Sequence, residues 1–292
     1  MRLGIVTMGT GAYAAAGAGV LRALDERRIT PFAVCGMQFG ALIALEHLRQ
    51  SDGCGMRLSI EAAARSGKKL LKPGCRSAEL LSGKRCALCD GRELSRILFL
   101  QGGERPLALY DRRAIFPCRT AVGGRRIVFS TGSYVQGAGV MLSMQATAAF
   151  AARAAMGCPP FFSPVTHMGA CLLPEDDPSF AADQLLRMGA DRVLIVDPCA
   201  SASHEPDALE LAYGCRCVAA GEMLPTHARA LRIVMPPHIG ALGFERMALF
   251  EHAGYEAAKQ RLDQTFESMG MTLCRILPFS SRVTEITHRG RR

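Results

Sequence analysis

Two short segments of this sequence place glycines where a predicted strand gives way to a predicted helix. The first segment, residues 8–13, reads MGTGAY, and the second, residues 36–40, reads GMQFG. Glycines at such a turn leave backbone N–H groups free at the positive end of the helix, which suits an oxyanion or a phosphate. We therefore take Gly9, Thr10, Gly11 and Ala12 as candidate ligand-binding residues.

The first segment also has the spacing of a weak dinucleotide-binding motif, G-x-G-x-x-A, which starts at Gly9. A dinucleotide site needs an acidic residue at the end of the following strand, where the carboxylate holds the ribose. Cys35 occupies that place in this sequence. The missing acidic residue therefore argues against a nucleotide cofactor, and we predict no cofactor.

The second segment has the pattern of a nucleophile elbow, in which flanking glycines allow a sharp turn and the central residue is strained. The central residue here is Gln38, and Phe39 follows it. An amide nitrogen is not a nucleophile, because its lone pair is delocalised into the carbonyl group. The pattern therefore predicts an elbow turn that lacks a nucleophile. We add Gln38 and Phe39 to the candidate ligand-binding residues.

The elements that would position these turns alternate along the chain. Short β-rich runs at residues 3–7, 32–35, 127–131, 192–197, 231–235 and 273–277 are separated by helical patterns at residues 14–27, 41–49, 145–156, 180–188, 208–223 and 244–268. This alternation predicts an α/β fold with a mostly parallel sheet and helices on both faces. Residues 115–121 and 125–130 predict a hairpin, and Pro117 suggests that its first strand is at an edge.

The chain is basic, with a net charge of +9, and 49% of its 292 residues are apolar, which is enough for a substantial core. The charge is concentrated in residues 57–126, which carry sixteen Lys and Arg against six Asp and Glu. We interpret this segment as a basic insertion in a single domain of residues 1–292. A solvated surface is its simplest explanation, an anionic membrane surface is the alternative, and a nucleic-acid partner is not predicted.

Twelve cysteines occur without a recognisable secretory signal, which favours a reducing, cytoplasmic setting. No window has the length and apolar density of a membrane span, so any membrane contact is expected to be peripheral. Cys54, Cys75, Cys86 and Cys89 are an alternative four-thiolate zinc site. A structural zinc site usually has two C-x-x-C pairs and this set has one, so we favour reduced packing cysteines and predict no metal.

The order of several motifs resembles the patatin-like phospholipase family. These motifs are the glycine-rich first turn, the G-x-x-x-G elbow, residues 127–132 (IVFSTG), 151–165 (AARAAMGCPPFFSPV), 193–197 (VLIVD) and 253–258 (AGYEAA). The resemblance covers nearly the whole chain. It implies a three-layer α/β sandwich and an acyl hydrolase ancestry, with a Ser in the elbow, an Asp in a later Asp-Gly turn and an Arg-Gly pair in the first loop.

The reagents that the resemblance implies are replaced in this sequence. The elbow Ser falls on Gln38, and the Asp of the Asp-Gly turn falls on Met168, whose thioether cannot accept a proton at useful pH. The Arg of the first loop falls on Tyr13. The resemblance therefore implies a catalytically inactive homologue that binds a lipid or acyl ligand or acts as a regulatory protein. In this interpretation Met168 forms the wall opposite Gln38 and completes the ligand-binding residues.

The sequence leaves two other functions open. One is an active acyl hydrolase with displaced machinery, which would pair Cys35 with His167 or take a base from the acidic residues 175–177. We expect that acidic cluster to be an exposed helix-entry turn completed by Pro178. The other function is a scaffold subunit that docks on an anionic membrane through the basic insertion.

Overall fold

The computed structural model describes residues 1–49, 53–73, 79–80, 82, 84, 86–100, 103–132, 140–213 and 224–271. Short runs of buried aliphatic residues form its strands. Within them the strands are β1 (Leu3–Thr7), β2 (Ala33–Gly36), β3 (Arg113–Thr120), β4 (Arg126–Ser130), β5 (Val140–Ser143), β6 (Val165–His167), β7 (Ala170–Pro174), β8 (Arg192–Cys199) and β9 (Ala228–Val234). These strands belong to one sheet.

The sheet has the strand order β5-β4-β3-β2-β1-β8-β9, with β7 paired to β3 and β6 paired to β7. The strands from β3 through β2, β1 and β8 to β9 are parallel, whereas β4 and β7 run antiparallel to β3. Strand β1 is buried along its whole length, as expected of a parallel strand that is covered on both faces. The mostly parallel sheet predicted from the alternation is confirmed.

The helices connect these strands. They are α1 (Ala16–Glu26), α2 (Ala41–Leu48), α3 (Gly53–Arg65), α4 (Gly67–Leu70), α5 (Arg92–Leu100), α6 (Ala148–Ala155), α7 (Pro178–Arg187), α8 (Ala208–Tyr213) and α9 (Met247–Ser268), with 3-10 turns at Gly11–Ala15, Gln38–Gly40, Leu107–Leu109 and Phe244–Arg246. Side-chain caps define two of the starts: Thr147 accepts from the Phe150 N–H at α6, and Asp177 accepts from the Phe180 N–H at α7.

The sheet separates two hydrophobic cores. Ile43 of α2 and Phe250 of α9 pack on one face, and Phe180 of α7 packs on the other. Successive residues of a strand point to opposite faces, so Ile5 belongs to the first core and Val6 to the second. The chain therefore has three layers, with helices on both faces of the sheet.

The prediction that Pro117 marks an edge strand is wrong. Strand β3 pairs along one side with β4, and along its other side with β2 and then with β7. The last pair with β2 is Cys35 with Ile115, and the first with β7 is Cys118 with Pro174. Pro117 therefore lies where one neighbour leaves the strand and the next one joins it, so that no ladder bond is lost for want of its N–H.

The basic segment, residues 57–126, is built into the fold. Helix α3 packs against α1 and α9 and buries Ile60 and Ala63 of this segment, and the end of the segment supplies β3 and the first residue of β4. These residues therefore share the main core and do not form a lobe apart from it.

Two predicted elements, the helix beyond Tyr213 to residue 223 and the strand at residues 273–277, lie outside the described residues. In the part of the chain that the structure describes, no helix combines the length and the apolar character needed to cross a bilayer.

Candidate functional site

The sharp turn predicted at residues 36–40 is present between β2 and α2. Gln38 has a φ of +48°, in the left-handed region that a residue with a side chain rarely adopts. Glycine is required on both sides of it: a Cβ on Gly36 would lie 2.5 Å from the Ala41 Cα, and one on Gly40 would lie 2.1 Å from the Thr7 carbonyl oxygen. The turn therefore has the tight, strained geometry of a nucleophile elbow, with an amide at its tip.

The elbow is closely packed. The ring of Phe39 lies 5.2 Å from that of Phe162 and 5.4 Å from that of Phe244, and all three side chains are buried. The Thr7 hydroxyl approaches the carbonyl oxygens of Cys35 at 3.1 Å and Gly40 at 2.9 Å and so ties the end of β1 to the elbow. The aromatic cluster therefore packs beside the turn.

The structure brings the first loop and the elbow together, since the end of β1 touches Gly40. The N–H of Ala12 is already committed, because it donates to the Ala241 carbonyl oxygen at 2.8 Å. Gln38 is only 7% exposed, and Thr10 is also buried. Within the described residues, neither the Gln38 amide nor the Thr10 hydroxyl makes a side-chain hydrogen bond, so both retain hydrogen-bonding capacity.

Tyr13, where the resemblance implies an Arg, anchors the first loop. Its hydroxyl donates to Glu210 Oε1 at 2.7 Å and also approaches the Ile239 carbonyl oxygen at 3.0 Å. Burial raises the pKa of Glu210, but hydrogen bonds from the Asp207 N–H, His204 and Tyr13 outweigh it, so the pKa is lowered. The tyrosine therefore holds the loop against an ionised carboxylate and is not aimed at a ligand.

Met168 does not stand opposite the elbow. It lies at the tip of the β6–β7 hairpin with a φ of +48°, beside Gly169, and is 81% exposed. It borders a pocket of about 470 Å³ whose lining contains no residue of the first loop or the elbow. The expected wall is wrong because β7 pairs with the far end of β3, at Thr120, whereas β2 stops beside Phe116. The order of the motifs in the sequence does not indicate how β7 is aligned with β3.

Cys35 and His167 cannot form a catalytic pair. Cys35 belongs to the core on the α7 side of the sheet, whereas the His167 ring packs on Phe129 and Phe150 on the opposite side. Burial, and then the nearby Glu175 and Cys118, raise the pKa of the Cys35 thiol well above its ordinary value. The thiol therefore stays protonated and separated from the imidazole by the sheet.

The acidic residues 175–177 are not an exposed turn, because Glu175 is only 2% exposed. Its Oε1 accepts from the N–H groups of Asp176 and Asp177, and its Oε2 accepts from Arg126 at 2.9 Å. Asp177 caps α7, whose first residue is Pro178, as expected of a helix entry. This carboxylate is committed to holding the β7–α7 turn and is not placed to serve as a general base.

Within the described residues, no three His, Cys, Asp or Glu side chains come together in a way that could hold a metal ion. Cys86 is exposed and Cys89 is buried, which places the two thiols of the C-x-x-C pair in different environments. The side chain of Cys54 and the whole of Cys75 lie outside the described residues.

Sequence reasoning missed the hairpin that carries Met168. Residues 165–174 form two short strands around Met168-Gly169, and His167 pairs with Ala170 at the turn. A residue followed by Gly between two β-rich runs is a hairpin signal. That signal was present in the sequence, but each flanking run is too short to stand out on its own.

Comparisons with known proteins give a fold similarity only. No family model matches the chain, and no curated protein matches it significantly in sequence. Among solved structures, the chain is similar to VipD from Legionella pneumophila, with 13% identity and a TM-score of 0.49 over 90% of this chain and 67% of that one. It is also similar to the type III effector protein ExoU, with 14% identity and a TM-score of 0.34 over 91% of this chain and 58% of that one. Neither similarity identifies an activity.

Proposed function

We propose that this chain is a catalytically silent homologue of patatin-like acyl hydrolases that binds a lipid or acyl ligand and does not cleave it. The observation that carries the proposal is Gln38, held at a φ of +48° at the tip of a tight elbow. That geometry serves to present a nucleophile, and an amide cannot be activated by a base as a hydroxyl can. The elbow is retained while its chemistry is absent.

The residues around Gln38 support the proposed lack of catalytic activity. The buried Cys35 thiol is held protonated, and the Glu175 carboxylate is occupied by Arg126 and two backbone N–H groups. Loss of one member of a cooperative catalytic unit costs several orders of magnitude in rate, and loss of the others adds little. Neither the Cys35 thiol nor the Glu175 carboxylate is therefore available as a replacement for the missing nucleophile or base.

The surroundings also support binding. Neither the Gln38 amide nor the Thr10 hydroxyl has a hydrogen-bond partner among the described residues, and Gln38 precedes Phe39, whose ring packs on Phe162 and Phe244. An apolar wall with a few polar groups is the usual composition of a small-molecule site. We infer that the ligand is neutral or zwitterionic at this point, with an ester or amide group for Gln38 to bind.

An ester hydrolysis assay tests the silence. We expect the purified protein, Gln38→Gly and Cys35→Ala all to hydrolyse p-nitrophenyl butyrate at the uncatalysed rate. Gln38→Ser should also remain inactive, because the elbow still lacks a base. Turnover by the wild-type chain that disappears in Gln38→Gly or Cys35→Ala would refute the proposal.

Calorimetric titration with monomeric dihexanoylphosphatidylcholine tests the binding. Gln38→Gly removes the amide and relieves the backbone strain, so it keeps the turn. We expect it to weaken binding about tenfold, the value of a buried hydrogen bond. Equal affinity of the wild-type chain and Gln38→Gly would remove the elbow from the proposed site.

One observation favours a second function, docking on an anionic membrane. Lys68, Lys69 and Lys72 at α4 are exposed, and α5 ends in the exposed apolar residues Phe99 and Leu100. Basic and apolar side chains on one surface suit anionic headgroups and the boundary of the acyl chains. Helices α4 and α5 are in contact, with Lys69 near Glu93 in the first turn of α5, so the lysines and the apolar end of α5 lie on neighbouring elements.

Cosedimentation with vesicles tests this second function. We expect binding to phosphatidylserine vesicles, weak binding to phosphatidylcholine vesicles, and loss of binding at high salt. Replacing Lys68, Lys69 and Lys72 by Gln should abolish it, whereas a triple change to Gln at Arg187, Arg229 and Arg261 should not. Identical behaviour of the two triple variants would exclude the α4 surface.

A further inference from the structure

The pocket of about 470 Å³ lies between the tips of two β-hairpins. Val122 and Arg125 border it from the β3–β4 tip, and His167 and Met168 border it from the β6–β7 tip. Both tips lie beyond Thr120, at the edge of the sheet where the parallel strands end. Its volume falls in the range of small-molecule sites, roughly 300–1,000 Å³.

The pocket has an apolar floor that continues the main core and an apolar rim that the fold does not explain. Its floor comes from Ile127 of β4 and Met141 of β5, which pair with each other across the sheet. Its rim carries Val122, which is 90% exposed, and Met168, which is 81% exposed. The β6–β7 turn has positive φ at Met168, where Asn or Gly is favoured, so the turn itself gives no reason for a large apolar residue.

The pocket also has a polar side with unused donors. Nearby Arg119 and Arg126 are neutralised, the first by Asp176 and the second by Glu175 and Asp177. In contrast, the Arg125 guanidinium has no ion pair or hydrogen bond among the described residues.

The His167 ring is the second polar group. It is held by ring contacts with Phe129 at 5.3 Å and Phe150 at 5.6 Å, and within the described part of the chain its nitrogens bond to nothing. An aromatic cradle of this kind fixes the ring while leaving its edge free for a ligand. Arg125 and His167 therefore offer one cation and one adjacent N–H donor.

We propose that this pocket is a second ligand site, which takes a single acyl chain with one anionic head, a carboxylate or a phosphate monoester. The chain lies on Ile127 and Met141 under the rim of Val122 and Met168, and the head meets Arg125 and His167. One unpaired cation matches one anionic head, and a pocket of this volume holds one chain. The site stands apart from the elbow and does not depend on what the elbow binds.

The probe is cis-parinaric acid, a fluorescent single-chain fatty acid, with its uncharged methyl ester as the second arm. We expect one saturable site per chain for the acid. Arg125→Gln should weaken binding of the acid about tenfold, the worth of one charge-assisted hydrogen bond, and leave the ester unchanged. Met168→Asn suits the turn and should weaken both probes about fivefold, because only apolar contact is lost.

Two matched controls remove the same groups elsewhere. Arg229→Gln removes a cation on β9, at the other end of the sheet, and Leu109→Asn removes an exposed apolar side chain outside the pocket. Neither should change the affinity for the acid. Displacement by palmitate or by 1-palmitoyl lysophosphatidic acid then distinguishes a carboxylate head from a phosphate head, and displacement by either supports the site.

Four outcomes overturn the proposal. They are no saturable binding of the acid by the wild-type chain, unchanged affinity in both Arg125→Gln and Met168→Asn, loss of binding in Gln38→Gly alone, and binding to vesicles without binding of the monomeric acid. The third outcome would place the ligand at the elbow, and the fourth would indicate a membrane surface.

Discussion

The elbow and the hairpin pocket lie at the same edge of the sheet and differ in how their side chains are held. At the elbow, Gly36 and Gly40 press against neighbouring backbone, and the aromatic cluster closes the surroundings. At the hairpin tips, Val122 and Met168 are open to solvent and Arg125 is unpaired among the described residues. A strained turn thus holds an amide at its tip, while the unpaired groups stand where no catalytic motif predicts them.

The strained backbone of Gln38 is maintained because the residues packed around the turn exclude other backbone conformations. A residue at positive φ costs of order 1 kcal/mol or more and survives only where neighbouring contacts fix the backbone. Both glycines, the hydroxyl of Thr7 and the start of α2 act on the same five residues. A turn fixed in this way does not depend on which side chain stands at its tip, whereas an open rim such as Met168 carries no such constraint.

The largest expected effect comes from filling the space at the elbow. Gly40→Ala places a methyl group 2.1 Å from the Thr7 carbonyl oxygen, so the backbone must move. We expect a loss of more than about 3 kcal/mol in the free energy of unfolding, measured by urea denaturation. Gly132→Ala is the control, since its new methyl would have no atom within 4 Å. A similar stability for the two variants would show that the elbow is not tightly fixed.

Acid should weaken the elbow side through His47 of α2. Burial, and then Arg112, lower the pKa of His47 from 6.5 to about 3, so the folded state keeps the imidazole neutral. The unfolded chain takes up this proton below about pH 6.5. The free energy of unfolding is therefore unaffected by His47 above that pH, and it falls by about 1.4 kcal/mol per pH unit from there towards pH 3.

His47→Leu removes this titration and leaves no polar ring atom buried. Urea denaturation at pH 7 and pH 4 should show the wild-type chain losing about 3 kcal/mol more than His47→Leu between the two values. The comparison rests on the change with pH, so a lower stability of the variant at pH 7 does not affect it. Parallel losses in the two proteins would contradict the assignment.

The anchor of the first loop should have an intermediate effect. Tyr13→Phe removes the hydroxyl that bonds to Glu210, a buried hydrogen bond to an ionised group, and should cost about 2 kcal/mol of stability. Tyr255→Phe is the matched control, because its hydroxyl bonds to Glu26 at the surface and should be worth under about 0.5 kcal/mol. Thermal melts of both variants measure the difference, and equal shifts would exclude the buried anchor.

The smallest effect has the opposite sign. Met168→Asn replaces a poorly suited residue at a positive φ and should stabilise the protein by about 0.5 kcal/mol while weakening parinarate binding. Stability and binding are then measured on the same variant. A destabilised Met168→Asn would mean that the methionine supports the fold, and the contrast between the two regions would disappear.

The sequence predicted the elements that carry a strong, uninterrupted signal. Strand β1 matches residues 3–7 because its residues are all buried, and the elbow turn follows from glycines at fixed spacing. The hairpin of β3 and β4 was also found, through Gly123-Gly124. In each case local residue types alone decide the local conformation.

The sequence failed where long-range pairing decides the outcome. Pro117 indicates an edge strand unless it is known that β7 replaces β2 as the neighbour of β3 at this point. Met168 is predicted as a pocket wall unless the register of β7 on β3 is known. Strand pairing between distant segments leaves little trace in either segment by itself. The pairing of the buried Glu175 with the half-exposed Arg126 depends on the same register and was missed for the same reason.

Helices α1 and α9 cross with their backbones in contact. A Cβ on Gly19 would lie 2.0 Å from the Glu251 carbonyl oxygen, and one on Gly254 would lie 2.1 Å from that of Ala16. The helix that follows the first loop therefore finishes its packing only against the final described helix. During synthesis, α1 therefore cannot complete this packing until residues 251–255 have left the ribosome.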